Sequence, residues 1–544
     1  MYRFFKGMIL LAKNTSTNLI KGTLILIVGN VIVKIIGALF KLPLANIIGA
    51  DGMGLYNASF IVFDIFLVLA TAGFPLAVSK MVANSSAHGD PGEAIKIFKV
   101  ARSCFFAIGL VFSLIMFFGA RTFSELIGNT RAYYSILVLS PAVLFVALMC
   151  AYRGYYQGTN DMIPTTISQV IEAICRLVIG LSFAWYLKSE GYDTQIVAAG
   201  SIVGITIGEF SSTFTLAMLH RHRMKKRKKL QRSKTPSDKI LSTMFATSTP
   251  IGIGVIIISI INMLDNSVMM HRLQYIGFSE TQANTLYGTY NMAFTVFSLP
   301  ITIVSALQIS VFPILSYAFA CKNYSRVART AQASIRIAMI VAMASAAIFL
   351  SLSSPIINIM YFNQPAAAKI VAPLLMLLAP SAVMISLTIL TSTILQSIDK
   401  LIVPCRSMIV GGTACLVSNW FLVGSRGIGI YGAPVGIFIC YTITAILNII
   451  EIKRNRCVKL SFKNMFYKPF LPAAVMAVTG AVAFGITQHS FGLLKASVFS
   501  ITLCMVNFIL VLFLNKSISR SDLLILPHGK KVACFFEKLH LISR

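Results

Sequence analysis

Long apolar runs separated by short polar breaks dominate this sequence. A helix that crosses the roughly 30 Å hydrocarbon core of a bilayer needs about 20 apolar residues. Fourteen runs of about that length or longer can be marked, at residues 19–42, 54–83, 94–119, 132–156, 165–187, 192–219, 241–272, 284–318, 326–353, 368–396, 402–424, 428–451, 468–488 and 493–515. The pattern predicts an all-α polytopic membrane protein with about 14 transmembrane helices.

The composition supports the same fold class. Of 544 residues, 57% are hydrophobic and 12% are charged, and the mean hydropathy is +0.81, well above that of soluble domains. The loops are too short to build an ordinary soluble active site, and they contain no phosphate-binding loop, metalloprotease His pair or nucleophile elbow. The ten cysteines form no CxxC pair. We therefore expect no catalytic residues, metal or cofactor, and no enzymatic activity.

The charge distribution predicts the orientation in the membrane. A net charge of +30 would suggest nucleic acid as the partner of a soluble protein, but here the charges lie between apolar segments. When residues towards the segment ends are counted with the adjoining loops, 37 of the 47 Lys and Arg residues fall in the termini and even-numbered loops and 8 in the odd-numbered loops, which leaves Lys34 and Arg176 inside segments. The positive-inside rule therefore places both termini in the cytoplasm, with membrane lipids rather than nucleic acid as neighbours.

Similar features recur in the two halves of the chain at an almost constant spacing. Chance agreement among Pro and Gln residues at helix ends is the alternative, but a duplication accounts for all four pairs and predicts two six-helix lobes in parallel orientation. The recurring pairs are Pro75 with Pro313, Gln157 with Gln396, Asp161 with Asp399, and Pro164 with Pro404, at spacings of 238, 239, 238 and 240 residues.

The repeat gives the domain organisation. We predict an N-terminal lobe at 1–219, a basic cytoplasmic linker at 220–240, a C-terminal lobe at 241–452, two further helices at 453–516 and a cytoplasmic tail at 517–544. The linker holds the densest basic stretch of the chain. A solvated loop near anionic lipid explains it more simply than a specific binding site for a charged partner.

Charged residues inside the apolar segments are the candidates for function, because each costs about 2.5 to 3.5 kcal/mol to insert. Lys34 lies well inside the first segment, and Lys41 lies two turns further on. Two cations on one helix are suited to binding a phosphate or pyrophosphate. The alternative is that Lys34 pairs with a neighbouring acid and Lys41 extends to the interface.

Acidic residues in the segments have two interpretations. Asp64, Glu209 and Asp265 are candidate ion-coupling sites, and Asp64 can equally neutralise a cation such as Lys34. Glu172 precedes Arg176 by four residues on one helical face, which favours an ion pair within the helix. We interpret that pair as structural.

Further polar residues in the second half extend the predicted substrate site. Asp265 lies two turns before Arg272 in the seventh segment, and Tyr290 and Asn291 lie near the outer end of the eighth. A polar stripe of this kind faces protein or a cavity rather than lipid. The predicted substrate-binding residues are Lys34, Lys41, Asp64, Asp265, Arg272, Tyr290 and Asn291.

Five stretches of the sequence are characteristic in their wording. They are Thr71-Ala-Gly-Phe-Pro-Leu-Ala-Val-Ser-Lys80, Arg153-Gly-Tyr-Tyr-Gln-Gly158, Met162-Ile-Pro164, Ile167-Ser-Gln-Val-Ile-Glu172 to Arg176, and Asp522-Leu-Leu-Ile-Leu-Pro527-His-Gly-Lys-Lys531. Together they resemble the MurJ-like, stage V sporulation protein B branch of the multidrug/oligosaccharidyl-lipid/polysaccharide flippase superfamily. The resemblance implies a fourteen-helix fold with two lobes around a central cavity, and lipid II as the leading polyprenyl-pyrophosphate-linked substrate.

The sequence also departs from that family in two places. The family places a basic residue at the position of Lys34, followed by Gly37. It places a second basic residue one turn after that glycine, which falls here at Phe40, with Lys41 displaced by one. An Arg near the start of helix eight in MurJ-type members has no counterpart among residues 287–291. The resemblance therefore also accommodates another lipid-linked oligosaccharide.

These observations predict a flippase in the cytoplasmic membrane that serves cell-wall, polysaccharide or sporulation chemistry by alternating access, driven by a coupling ion or by the membrane potential. The first alternative is a cation-coupled multidrug exporter of the same superfamily, because Asp64, Glu209 and Asp265 would suit cationic drugs. A membrane-embedded glycan polymerase is a further alternative, although such enzymes usually need a large outer loop.

Overall fold

The computed structural model describes residues 18–88, 90–225, 235–455 and 462–515. Over these ranges the chain forms α-helices joined by short turns, and no strand occurs in them. Large apolar side chains such as Phe118 and Leu514 are 79% and 81% exposed, as expected of helices whose outer surface contacts lipid. The predicted all-α polytopic fold is confirmed.

The helices of the described ranges are labelled in chain order. They are α1 (Asn18–Thr71), α2 (Phe74–Ala87), α3 (Pro91–Phe118), α4 (Ala120–Leu126), α5 (Tyr133–Gly158), α6 (Ile163–Ser189), α7 (Thr194–Lys225), α8 (Ser237–Tyr275), α9 (Glu280–Ala320), α10 (Tyr324–Met360), α11 (Pro365–Ser397), α12 (Ile402–Leu422), α13 (Gly432–Arg454) and α14 (Phe462–Leu514).

These labels are not equivalent to the fourteen predicted segments, because α1 and α14 each contain more than one helix axis. Gly49 interrupts α1 with φ 71° and ψ −175°, and Gly492 interrupts α14 with φ 72°. Glycine adopts such positive φ values without the steric cost that a Cβ imposes. Twelve spans in the described residues are long and apolar enough to cross a membrane, so the number fourteen stays a prediction.

Contacts along the chain divide it into two compact units. Unit 1 comprises Met1–His271 with Glu280–Gly288, and unit 2 comprises Arg272–Ser279 with Thr289–Arg544. The predicted lobe boundaries at residues 219 and 241 remain predictions. The predicted cytoplasmic tail and residues 226–234 of the predicted linker lie outside the described residues.

Small residues allow the helices of unit 1 to approach closely. A Cβ added to Gly204 of α7 would overlap the backbone of Gly180 in α6, and one added to Gly208 would lie 2.9 Å from the carbonyl oxygen of Glu172. In a membrane no hydrophobic driving force brings helices together, because lipid tails are as apolar as the side chains. Helix association therefore depends on close packing, which small residues at the crossings allow. This contact positions the polar face of α6 against α7.

Unit 2 contains an apolar cluster of buried side chains. The buried side chains of α9, α10, α11 and α13 interdigitate there, including Leu315, Met339, Leu390 and Ile452. At another point the Tyr361 hydroxyl donates a hydrogen bond to the Met292 carbonyl oxygen at 2.9 Å, which satisfies a buried polar group.

Backbone geometry at two helix ends supports the predicted internal repeat. Helix α5 ends at Gly158, and α11 ends at Ser397, 239 residues later. The next helices begin at residues 163 and 402, again 239 apart. Between them, Asn160 (φ 57°) and Asp399 (φ 63°) adopt the left-handed conformation. That conformation is uncommon outside glycine, although Asn and Asp tolerate it best, so its recurrence at the repeat spacing favours a duplication.

Candidate functional site

The two lysines of α1 differ in their surroundings. Lys34 is exposed and makes no ion pair with the described residues, whereas Lys41 is half-buried. They are seven residues apart, which places them on roughly the same helical face. Lys41 lies within electrostatic range of Arg176 on α6, a like charge. Because Lys41 likewise forms no ion pair in the described part of the chain, its charge is available to an anionic ligand.

A network of charged residues joins α5, α6 and α7 inside unit 1. Glu172 accepts hydrogen bonds from Arg153 at 3.1 Å and from Arg176 at 3.2 Å. Arg153 also donates to the Ser168 hydroxyl at 3.2 Å. Arg176 lies 3.8 Å from Glu209 of α7, whose side chain is 5% exposed. The predicted Glu172–Arg176 contact is therefore part of a larger cluster, and Glu209 is a member of it rather than an isolated acid.

The charges of this cluster do not balance. Lys41, Arg153 and Arg176 carry three positive charges, and Glu172 and Glu209 carry two negative ones when ionised. Three buried atoms of this region, Gln169 Oε1, Arg176 Nε and Glu209 Oε2, also have no hydrogen-bond partner among the described residues. An excess cation with an unused N–H donor favours an anionic ligand such as a phosphate.

Asp64 contacts a hydroxyl group. Its Oδ2 atom accepts a hydrogen bond from Ser259 of α8 at 2.8 Å, within unit 1. The sequence suggested Lys34 as a partner, but no ion pair joins the two among the described residues. Asp64 is half-buried and remains a candidate for protonation or cation binding.

Arg272 is held by aromatic rings in unit 2. Its guanidinium lies 4.4 Å from the ring centroid of Tyr275 and 4.7 Å from that of Trp420. Its Nε donates to the Trp420 carbonyl oxygen at 3.0 Å, and a side chain at Gly424 would overlap it. These contacts explain how a cation is accommodated there; its predicted role in substrate binding stays a prediction.

The remaining predicted residues lie on α8 and α9. Asp265 is half-buried, and the neighbouring Asn266 is 1% exposed with neither of its amide atoms hydrogen-bonded within the described structure. Tyr290 is 8% exposed, with its ring 6.3 Å from that of Phe294. Asn291 is half-buried. Asp265 belongs to unit 1, and Tyr290 and Asn291 belong to unit 2.

A second polar network in unit 1 was not foreseen from the sequence. Arg131 binds both carboxylate oxygens of Asp51 at 2.8 Å, and the Asn284 side chain donates to Asp51 Oδ1 at 2.7 Å. Asn284 in turn accepts from Asn129 at 2.7 Å, and Glu280 accepts from the Arg131 backbone N–H at 3.4 Å. A search restricted to long apolar runs passes over these residues, because they lie at loops and helix ends.

Comparison with known proteins places this architecture in a family. Residues 19–319, more than half of the chain, match the family described as polysaccharide biosynthesis protein. The chain belongs to this family. It is 24% identical to the lipid II flippase MurJ of Bacillus subtilis over 88% of this chain and 90% of that protein. It is also 24% identical to stage V sporulation protein B of the same organism, over 88% and 91% of the two chains.

Solved structures have the same fold. A structure described as lipid II flippase MurJ in an inward closed conformation matches with a TM-score of 0.64 and 15% identity, over 93% of this chain and 99% of that one. An inward-facing multidrug resistance MATE family transporter of the MOP superfamily matches with a TM-score of 0.65 and 16% identity, over 77% and 94%. The predicted family resemblance and the predicted fold class are confirmed.

Proposed function

We propose that this protein is a flippase that moves a polyprenyl-pyrophosphate-linked sugar, lipid II or a related cell-wall or polysaccharide precursor, across the cytoplasmic membrane. Membership of the polysaccharide biosynthesis family and the similarity to a relative named lipid II flippase MurJ support this function. The observation that carries it is the unbalanced positive charge at Lys41, Arg153 and Arg176, because the pyrophosphate is the anionic part of such a substrate.

In this mechanism the protein binds the head group and makes or breaks no covalent bond, so it is not an enzyme. Lys34 and Lys41 bind the pyrophosphate through charge-assisted hydrogen bonds. Asp64 and Asp265 of unit 1 and, separately, Arg272, Tyr290 and Asn291 of unit 2 are the further residues that we propose to bind substrate. Glu172 and Arg176 stabilise the helices behind Lys41. The site opens alternately to the two sides of the membrane while the polyprenyl chain stays in lipid.

The orientation and the energy source are parts of the same proposal. The Lys and Arg bias of the loops favours cytoplasmic termini. Asp64, Glu209 and Asp265 are the candidate coupling groups, since a buried carboxylate can exchange a proton or a cation during transport. The membrane potential is the other candidate energy source, because the charged substrate and the cationic site move within the electric field across the membrane.

The test compares transport with stability in reconstituted full-length protein. A fluorescent polyprenyl-pyrophosphate sugar is followed across proteoliposomes containing wild type, Lys41→Gln or Lys34→Gln. We expect each substitution to reduce transport about tenfold, which corresponds to one lost charge-assisted hydrogen bond. Lys41→Gln should leave the unfolding temperature unchanged or raised, because it removes a like charge near Arg176.

Lys495→Gln is the matched control, since Lys495 is an exposed lysine on α14. It should transport as wild type does. No transport by wild type would overturn the proposed function, and wild-type transport by both Lys34→Gln and Lys41→Gln would overturn the proposed site.

A cation-coupled multidrug exporter is the second candidate. The structural similarity to a multidrug resistance transporter and the carboxylate of Asp64, which contacts a hydroxyl group rather than a cation, favour it. Overexpression that raises resistance to cationic drugs, and loses this effect in Asp64→Asn, would support the exporter over the flippase.

A further inference from the structure

A cavity with both polar and apolar residues in its lining lies in unit 2, between the last turns of α10 and the first turns of α11. Its volume is about 310 Å³, and its polar lining consists of Ser353, Ser354, Asn358 and Lys369. Both helices are candidate membrane spans, Tyr324–Met360 and Pro365–Ser397. The cavity therefore lies near the adjoining ends of two candidate spans, where lipid head groups are expected.

A break in α10 exposes polar groups to this cavity. Leu352 has non-helical dihedrals (φ −125°, ψ 23°), and Pro355 lies inside the helix. Since proline has no N–H, the carbonyl of residue 351 loses its helical hydrogen bond. The Ser353 hydroxyl makes no hydrogen bond with other described residues, and the Ser354 hydroxyl accepts one from Asn358 Nδ2 at 3.3 Å.

Lys369 brings a positive charge that its own unit does not neutralise. It is exposed, and within the described part of unit 2 the acidic residues are Asp399 and Glu451. Asp399 lies 30 residues further along the chain, past the far end of α11, roughly 45 Å away at 1.5 Å per residue. Glu451 pairs with Lys400, next to Asp399. No carboxylate of the described unit 2 therefore reaches Lys369.

The start of α11 adds to this positive potential. The helix begins at Pro365, and its N-cap residue Gln364 makes no capping hydrogen bond through its side chain. The N–H groups of the first turn and the helix dipole favour an anion near Lys369. Beyond the polar residues the lining is apolar and includes Met376, which is 47% exposed, so an acyl chain could continue from a bound head group.

We propose that this cavity binds the phosphate of an anionic phospholipid head group, with Lys369 as the cation and the hydroxyls of Ser353 and Ser354 as hydrogen-bond donors. Free inorganic phosphate has the same chemistry and is the other source of such an anion. The proposal depends on the membrane-embedded fold and not on the identity of the transported substrate.

Native mass spectrometry of the delipidated full-length protein tests this site. Phosphatidylglycerol, diacylglycerol and inorganic phosphate are titrated separately against wild type, Lys369→Gln, Lys369→Arg, Ser353→Ala and the control Lys495→Gln. Phosphatidylglycerol should bind wild type, and Lys369→Gln should weaken its binding about fivefold, the contribution of one lysine near an anionic membrane surface. Lys369→Arg should retain binding, and Ser353→Ala should weaken it by a smaller factor.

Comparing the three ligands distinguishes the possible occupants of the cavity. Diacylglycerol lacks the phosphate, so its binding should not change between wild type and Lys369→Gln. Equal losses in Lys369→Gln and Lys495→Gln, or equal affinity for diacylglycerol and phosphatidylglycerol, would overturn the proposal. Phosphate binding that equals phosphatidylglycerol binding would also overturn it, because the site would then take a free anion. Since transport is not measured, these results are independent of the proposed function.

Discussion

The two units accommodate polar residues inside helices in different ways. Unit 1 contains 13 of the 17 acidic residues of the chain, and several of its cations are paired with them, as in the contacts of Glu172 with Arg153 and Arg176. The described part of unit 2 has Asp399 and Glu451 as its acids. Hydroxyl groups in its interior donate mainly to backbone carbonyl oxygens, as Thr391 does to Leu387 at 2.8 Å.

Asn448 exemplifies the interior of unit 2. Its Nδ2 atom donates to the hydroxyls of Thr391 at 3.3 Å and Ser392 at 3.0 Å. Arg272, a cation of unit 2, contacts aromatic rings and a carbonyl oxygen instead of a carboxylate. Neutral hydrogen bonds cost little when they are lost, but an unpaired buried charge costs several kcal/mol. We therefore expect unit 1 to be more sensitive to single polar substitutions than unit 2.

The largest effect is expected for Glu172→Gln. This change leaves Arg153 and Arg176 without the carboxylate that both contact, at side-chain exposures between 18% and 27%. Removing one partner from a buried ion network lowers the free energy of unfolding by about 3 kcal/mol or more. The loss is measurable as a lower unfolding temperature of the purified protein. Glu190→Gln, at the exposed end of α6, is the control. Equal shifts for the two variants would contradict the expected sensitivity of unit 1.

A smaller loss is expected for Arg131→Gln. The bidentate contact with Asp51 is partly exposed, at 21% and 23%, so solvent screening reduces its contribution to about 1 kcal/mol. A double-mutant cycle with Asp51→Asn isolates the coupling between the two side chains. Arg121 and Glu125 form the matched control pair, because they are 84% and 54% exposed. Coupling no larger than in that control would show that the network contributes little stability.

In unit 2, Asn448→Leu should cost about 0.6 kcal/mol, the average for a hydrogen bond between membrane helices. Its Oδ1 atom has no partner among the described residues, so the leucine also removes an unsatisfied acceptor. The unfolding temperature is measured as before. Thr444→Val, which removes a buried hydroxyl group from the same helix α13, serves for comparison. A loss near that of Glu172→Gln would abolish the proposed difference between the units.

The smallest effect is expected for Lys400→Gln, which removes the ion pair with Glu451 in unit 2. The lysine side chain is 35% exposed, so the loss should be about 0.5 kcal/mol or less and should vanish at high salt. Arg454→Gln, at a residue 75% exposed and 3.6 Å from Glu451, should have no measurable effect. A salt-independent loss would indicate a buried pair instead.

Local patterns predicted a large part of the structure. The apolar runs correspond to the helices of the described ranges, and the spacing of Glu172 and Arg176 anticipated their contact within α6, because residues four apart are neighbours on a helix. Arg153 could not be assigned to that cluster, since its contact with Glu172 depends on how α5 packs against α6. The contact of Arg272 with Trp420 likewise joins residues 148 positions apart.

The sequence by itself determined that most of this protein lies in lipid and that it is helical there. Segments of about 20 predominantly apolar residues are suited to the interior of a bilayer. No water is present there, so the backbone N–H and C=O groups must bond to one another, and a helix achieves this within one segment. Only the tertiary structure decided which charges are paired. Lys41 and Glu209 are both single charges in apolar runs, yet Glu209 lies beside Arg176 in the structure and Lys41 has no ion-pair partner in the described residues. Pairing requires atoms within about 4 Å across helices, a distance set by packing rather than by position in the chain.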